Sequence, residues 1–184
     1  MKVNKLRFIT TTALVMLMAS VFSSGAGAAE KTLGFWFDTD TAALNANKTL
    51  TLGSTPESWM VSYTGSATIS PTSSIATLTG GFDGSIWKYE YSVNGTDWTT
   101  IGTLISNFSG TPDTIGNSKT ENVGPAVFVA RYLRLGYDVS LSSTSAASTS
   151  GSASIMATAV PEPSSILALA GGLVGLLGIR RRKA

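Results

Sequence analysis

The chain has 184 residues, of which 43% are hydrophobic, and a formal net charge of +2 at pH 7. This length suits a single domain. The sequence contains no Cys and no His. The first absence excludes disulfides, and the second excludes Ser-His-Asp catalysis, Cys-His catalysis and His-containing zinc sites.

The positive charge is concentrated at the two ends of the chain. Residues 30–160 carry six basic and ten acidic side chains, so this body has a net charge of −4. Nucleic-acid binding needs clustered Lys and Arg side chains that face phosphate. We therefore expect no nucleic-acid partner.

Residues 1–29 have the three-part organisation of a secretory signal. A basic stretch precedes an apolar run over 8–22, and small residues follow, with Ala26 and Ala28 at the small-x-small positions that signal peptidase recognises. The pattern predicts a helical signal peptide and an exported protein. We expect signal peptidase to cleave after Ala28 or the next residue, because the apolar run is short for a retained anchor.

The body, over residues 30–159, shows short alternating runs rather than a long helical period. Alternation of β-branched and aromatic residues with polar ones is the strand signal. Strands are predicted at 33–37, 48–52, 58–63, 74–79, 86–93, 98–105, 126–141 and 152–160. Such spacing predicts an all-β domain, an antiparallel β-sandwich with a jelly roll as one option.

The clearest hairpin signal is Asn94-Gly95, because both residues tolerate positive φ. It predicts a turn after the strand at 86–93, with Trp98 opening the partner strand. Two other stretches, 107–125 and 142–152, are rich in Ser, Thr, Gly and Asn. We expect both to be loops.

The stretch around this hairpin resembles the discoidin, or coagulation-factor type C, domain of the galactose-binding-like jelly rolls. The matching positions are Tyr91, Ser92, Asn94, Gly95, Trp98, Ala130, Arg131, Tyr132, Leu133 and Arg134. The resemblance implies scaffold roles: a hairpin, a core tryptophan, and a strand arginine that pairs internally. It carries over no ligand-binding residue, and an unrelated β-sandwich is the alternative. From the residues themselves, Arg131 and Arg134 are expected to pair with Asp138 or Glu90.

Asp38 and Asp40 are the only pair that suggests a metal site. Carboxylates at alternate positions can bind Ca²⁺, but the other ligands of a complete calcium loop are missing. We therefore predict no cofactor, with a structural Ca²⁺ at these two residues as the alternative.

The aromatic residues offer a way to bind carbohydrate, because flat amphipathic rings suit the apolar faces of sugars. Most are expected in the core of so small a sandwich, with one Trp left exposed. The candidates are Trp36, Trp59, Trp87, Trp98 and Tyr132. The ten scattered acids show no pair suited to glycoside hydrolysis, so we expect no enzyme.

The C-terminal end has a different organisation. Residues 164–179 carry no charge and would span about 24 Å as a helix, slightly less than a hydrocarbon layer of about 30 Å. Arginine snorkelling can cover the difference, and the following basic cluster stays cytoplasmic. The run predicts a short transmembrane helix, with a buried core helix as the alternative.

Residues 160–184 resemble the PEP-CTERM sorting signal of Gram-negative bacteria. The matching residues, besides the apolar run, are Pro161, Glu162, Pro163, Arg180, Arg181 and Arg182. The resemblance implies recognition by an exosortase, processing near the motif, transient anchoring in the inner membrane, and delivery to the cell surface or extracellular matrix. Such proteins typically accompany exopolysaccharide and biofilm.

These observations predict an exported, non-catalytic β-sandwich that binds polysaccharide or serves structurally in the matrix. Two alternatives stay open. One is a secreted glycan-active enzyme that uses carboxylates, and the other is a purely structural matrix subunit.

Overall fold

The computed structural model describes residues 29–39, 43–71, 75–110, 116–143 and 147–161. In these ranges the chain forms ten strands and no helix. They are β1 (Glu30–Thr39), β2 (Ala43–Thr51), β3 (Glu57–Pro71), β4 (Ala76–Gly80), β5 (Ser85–Ser92), β6 (Thr99–Ser106), β7 (Phe108–Gly110), β8 (Asn117–Ala130), β9 (Tyr132–Ser143) and β10 (Ala147–Ala159).

The helices predicted for the two ends lie outside the described residues. Within the described ranges, no helix has the length and apolar character that crossing a membrane requires.

The strands form two antiparallel sheets. Sheet A has the order β1-β10-β3-β8. In sheet B, β2 pairs with one side of β9, while β5 and β4 pair with successive halves of its other side. Beyond them β6 pairs with β5 and β7 with β4, so sheet B is four strands wide.

The strand order has the connectivity of a jelly roll. With β4–β5 and β6–β7 each counted as one strand, the sheets read 1-8-3-6 and 2-7-4-5. Successive strands cross repeatedly between the two sheets, as in double-sheet jelly rolls. The predicted antiparallel sandwich is confirmed.

The core lies between the sheets, and β5 contributes its largest side chains. Trp87 and Tyr89 are fully buried. The Trp87 indole N–H donates to the Ser66 carbonyl at 3.0 Å, and the Tyr89 hydroxyl donates to the Thr64 carbonyl at 2.8 Å. These bonds cross from sheet B to β3 of sheet A, and Gly65 makes room for them, since a Cβ there would lie 2.7 Å from the Tyr89 hydroxyl.

The two stretches predicted as loops are partly strands. The first contains β7 and the start of β8, and the second contains the start of β10. In β10, Ala147, Thr149 and Ala153 face inward, whereas Ser150 and Ser152 face solvent. The alternation is therefore present, but between small residues and hydroxyl residues, so composition alone indicated a loop.

The strand predicted over 126–141 is two strands. The chain leaves β8 of sheet A, passes Arg131, and enters β9 of sheet B. The Arg131 N–H donates to the Ser92 carbonyl at this crossing. The apolar alternation continues through it because both strands bury one face in the same core.

The predicted hairpin is confirmed between β5 and β6. Gly95 has φ of 84°, and the Asn94 side-chain oxygen accepts the N–H groups of Thr96 and Asp97, both at 2.9 Å. Such a turn made by an Asn side chain needs only one residue with positive φ. The partner strand begins one residue after Trp98.

Candidate functional site

An ion network occupies the outer face of sheet B. Because side chains alternate along β5, Lys88 and Glu90 point away from the core that Trp87 and Tyr89 fill. The register places Glu90 opposite Arg134 of β9. The Arg134 Nε donates to one Glu90 oxygen at 2.6 Å, and the Lys88 Nζ contacts the other at 2.9 Å.

Glu90 is held in its charged form. Burial by itself raises the pKa of this carboxyl, but hydrogen bonds from Arg134 and Lys88, together with their charges, outweigh burial and lower the pKa overall. The Glu90 side chain is only 8% exposed. Both carboxylate oxygens have cationic partners, so the three side chains fix one another.

Trp98 adds a contact to the network through Arg134. The Arg134 guanidinium carbon lies 4.1 Å from the centroid of the Trp98 ring, a cation–π contact. Trp98 is half-buried on this outer face. The expectation of a core tryptophan at this position is therefore wrong, since Trp98 positions an arginine instead.

A polar cleft of about 240 Å³ lies beside the network, and we call it the sheet B cleft. Its lining combines amides, two carboxylates, two cations and two aromatic residues, Phe82 and the core residue Tyr137. The lining residues are Asn45, Ala46, Asn47, Phe82, Lys88, Glu90, Arg134, Gly136, Tyr137 and Asp138.

Gly136 of β9 occupies the middle of the cleft floor. The register places it between Asn47 of β2 and Lys88 of β5, while Asp138 lies opposite Asn45. A Cβ on Gly136 would lie 3.5 Å from the Asn47 Cβ and 3.6 Å from the Phe82 ring. Glycine therefore keeps the floor low between the polar walls.

Phe82 reaches the cleft through an excursion between β4 and β5. Phe82 and Ser85 exchange backbone hydrogen bonds of 3.2 and 2.8 Å around Asp83 and Gly84. Both turn residues have positive φ, 50° and 82°, as a tight two-residue turn requires. This small hairpin brings the Phe82 ring to the cleft, with the Lys88 Nζ 5.5 Å from its centroid.

The chemistry of the cleft suits a neutral ligand rich in hydroxyl groups. Amide side chains donate and accept, carboxylates accept, and ammonium and guanidinium groups donate. Lys88 and Arg134 balance the charges of Glu90 and Asp138. The half-buried Phe82 ring adds an apolar surface.

The two predicted strand arginines have different roles. The pairing of Arg134 with Glu90 is confirmed. For Arg131 the prediction is wrong: its buried Nε has no hydrogen-bond partner among the described residues, and its guanidinium carbon lies 5.0 Å from the centroid of the Tyr132 ring. The crossing between the two sheets moves Arg131 out of the strand pairing that brings Arg134 to its carboxylate.

The predicted aromatic candidates separate into three groups. Trp59 and Trp87 are buried, and Trp98 and Tyr132 are half-buried. Trp36 is 71% exposed on sheet A. It lines a shallow depression of about 380 Å³ together with Phe37, Asp38, Ser66, Thr68, Ser150, Gly151 and Ser152, which we call the Trp36 groove.

The structure describes one of the two suggested calcium ligands. Asp38 is exposed on β1, and Asp40 lies outside the described residues. Among the residues that are described, no group of three or more Asp or Glu side chains could hold a metal ion. A structural Ca²⁺ stays a prediction.

Several cleft residues were not identified from the sequence. Asn45 and Asn47, Phe82, and Gly136 come from three distant parts of the chain, which meet through the register of β2 with β9 and the small hairpin that carries Phe82. One local signal was available, since Asp83-Gly84 is a strong turn dipeptide that would have placed a hairpin beside Phe82.

Of the predicted sorting residues, the structure describes only Pro161, which is exposed. Glu162, Pro163, Arg180, Arg181 and Arg182 lie outside the described residues, as do Ala26 and Ala28.

Comparison with known families decides the nature of the C-terminal end. Residues 159–183 match the PEP-CTERM protein-sorting motif. The chain ends in a PEP-CTERM sorting signal. This confirms the interpretation of the tail, and the signal implies an exported surface protein of a Gram-negative bacterium that an exosortase processes.

Three solved structures resemble the sandwich at low sequence identity. A chain of the disulfide-linked pili that form Bacillus endospore appendages is 14% identical, with a TM-score of 0.30 over 75% of this chain and 95% of that one. PorU from Porphyromonas gingivalis is 16% identical, with a TM-score of 0.36 over 73% of this chain and 14% of that one. A chain from a structure of infectious bursal disease virus is 11% identical, with a TM-score of 0.32 over 74% of this chain and 38% of that one. No curated protein matches the sequence.

Proposed function

We propose that this protein is a non-catalytic component of the cell surface or extracellular matrix, and that it binds a neutral polysaccharide in the sheet B cleft. The observation that carries the proposal is the convergence of amides, carboxylates, cations and an aromatic ring around the Gly136 floor. On this proposal the ligand is part of the exopolysaccharide of a biofilm.

The cleft matches the two features of a sugar ring. Neighbouring hydroxyls on a sugar both donate and accept, which suits Asn45 and Asn47 of β2 on one side of the cleft, Lys88 of β5 on the other, and Asp138 of β9 between these strands. The apolar C–H face of the ring suits Phe82. Because the charges of the lining cancel, an uncharged polymer is favoured over an acidic one.

The state of Glu90 supports binding without catalysis. Glycoside hydrolysis needs one carboxylic acid with a raised pKa to protonate the leaving group. The pKa of Glu90 is lowered, and its oxygens are occupied by Arg134 and Lys88. A carboxylate held in this way stabilises structure and cannot supply a proton near neutral pH.

We further propose that residues 164–179 hold the exported chain in the inner membrane until the exosortase cuts it. Replacing Pro161, Glu162 and Pro163 by Ala should leave the chain in the membrane fraction, because the processing motif is lost. Fractionation of the native host measures this effect. Unchanged release of the triple variant into the medium would contradict it.

Binding is tested with processed protein recovered from the medium and immobilised neutral polysaccharides. Asp138→Asn removes one charged acceptor at constant size and should weaken binding roughly tenfold or more. Asp38→Asn in the Trp36 groove is the matched control and should bind like the native protein. Equal affinities of the native protein and Asp138→Asn, with binding present, would refute the cleft assignment.

A further inference from the structure

The two ends of the sandwich emerge at the same pole of the molecule. The Ala159 N–H donates to the Ala29 carbonyl at 3.0 Å, and the Val160 N–H donates to the Ser58 carbonyl at 2.9 Å. Only residues 161–163 separate this point from the start of the uncharged run at residue 164. Fully extended, the chain from residue 160 to residue 164 spans at most about 14 Å.

Four exposed apolar side chains lie on sheet A at this pole, and we call them the Met-Val patch. Met60 is 42% exposed, Val127 60%, Val129 53% and Met156 41%. Met60 of β3 lies directly opposite Val127 of β8, and Val129 lies opposite the neighbouring outward residue Ser58. Met156 of β10 lies opposite Ser62, diagonal to Met60, so the four share one face.

The remainder of the same face is different. Towards the opposite pole, the outward residues of β3 and β10 are hydroxyl residues, among them Ser66, Thr68, Ser150 and Ser152. Single exposed apolar residues are ordinary, but a contiguous group marks a contact surface. Here the group is confined to the end of the sheet from which the sorting signal leaves.

We propose that the Met-Val patch lies against the lipid surface while the chain is anchored, as a second and weaker membrane contact. The proposal rests on the anchoring role of residues 164–179 proposed above. The short connection keeps the patch within reach of the interface, where apolar side chains on a folded surface are favourably buried. Four such side chains add membrane affinity to that of a helix that is slightly short for the bilayer.

The patch also explains how cleavage can release the protein. A small apolar contact by itself gives only marginal and reversible membrane binding, whereas insertion of a transmembrane helix is effectively irreversible. Removal of the tail leaves the patch alone. The protein then dissociates from the membrane without any change of its fold.

The experiment uses the tail-bearing chain from residue 30 onward, reconstituted in phosphatidylcholine vesicles without exosortase. Met60 and Met156 serve as oxidation probes at the pole. Trp36 lies about 13 Å from Met156 and about 20 Å from Met60 along the strand direction, and it is the internal reference. Hydroxyl-radical footprinting with mass spectrometry should show both methionines oxidised several-fold more slowly than in processed protein mixed with the same vesicles, with Trp36 unchanged.

The other outcomes overturn the inference in distinguishable ways. Co-flotation of the chain with vesicles, but with methionines oxidised at the rate of the processed protein, overturns the patch contact and leaves the anchor intact. Failure to co-float overturns the anchor and the patch contact together. Protection that needs added exosortase assigns the patch to that enzyme, and equal protection of Trp36 shows that the whole face is covered; both contradict the proposal.

Discussion

The outer faces of the two sheets are built on the same alternation but serve different purposes. In sheet B the outward residues form the Lys88–Glu90–Arg134 network and the walls of the cleft. In sheet A they are mostly hydroxyl residues that bond one another, such as Ser66 with Ser152 at 3.0 Å. Since the inner faces determine the fold, the outer faces are free to differ, and the function is to be found there.

The difference also concerns rigidity. In sheet B a buried carboxylate and two cations are each held by more than one partner, so the cleft is already formed before a ligand arrives. Preorganised polar groups do not lose side-chain freedom on binding, which favours affinity. The Trp36 groove has an exposed indole and short hydroxyl side chains, so it lacks a comparable support.

The largest effect is expected for Arg134→Ala, which leaves the Glu90 charge buried with Lys88 alone. Breaking a buried ion pair costs about 3–5 kcal/mol, and partial exposure of Arg134 reduces this to about 2–3 kcal/mol. Lys88→Ala, at a more exposed partner, should cost about 1 kcal/mol or less. Urea unfolding measures both, and equal small losses would contradict a fixed network.

Lowering the pH should cost more stability through Glu90 of sheet B than through Glu121 of sheet A. The pKa of Glu90 is lowered, so its contribution is fully present above the ordinary carboxyl pKa of 4.5 and is lost as the pH falls below it. Glu121 of sheet A behaves likewise, through hydrogen bonds from Lys119 and the Ile105 N–H, but is more exposed. The free energy of unfolding should decrease between pH 6 and pH 3, and Glu90→Gln should reduce this decrease more than Glu121→Gln does. The reverse order would contradict the comparison.

A smaller effect is expected for Ser66→Ala, which removes one cross-strand hydrogen bond between hydroxyls on sheet A. Such pairs contribute roughly 0.5 kcal/mol, because solvent competes for the same groups. Thermal unfolding against Ser70→Ala, an exposed serine on the same strand, provides the control. A loss as large as that of Arg134→Ala would show that sheet A is the more tightly fixed face.

The smallest effect is expected for Trp36→Ala. With 71% of its surface exposed, Trp36 contributes little to the core, so the free energy of unfolding should change by less than about 0.5 kcal/mol. Polysaccharide affinity should also stay the same, because the proposed binding site lies on the other sheet. A tenfold loss of affinity in this variant would move the binding site to the Trp36 groove.

The sequence predicted those features whose signal is contiguous along the chain. The sorting signal is one uninterrupted segment, and the Asn94-Gly95 hairpin depends on neighbouring residues. The strand at 86–93 was evident because Trp87 and Tyr89 alternate with charged residues. In β10 the same alternation uses small residues, so it was mistaken for a loop over its first half.

The cleft could not be predicted because it depends on register between distant strands. Nothing local relates Asn47 to Gly136, or shows that the hairpin after β4 brings the Phe82 ring close to Gly136. Trp98 was expected in the core because its ring is large and apolar, whereas a cation–π contact with Arg134 holds it at the surface. Discoidin-like ancestry of the domain stays a prediction.

The central claim, that sheet B binds the polysaccharide, is tested most directly by NMR titration of processed protein with a short neutral oligosaccharide. The account predicts chemical-shift changes at the backbone N–H groups of Asn47, Lys88 and Gly136. The Trp36 indole N–H and the Ser152 amide should not shift. Changes confined to Trp36 and Ser152 would contradict the account.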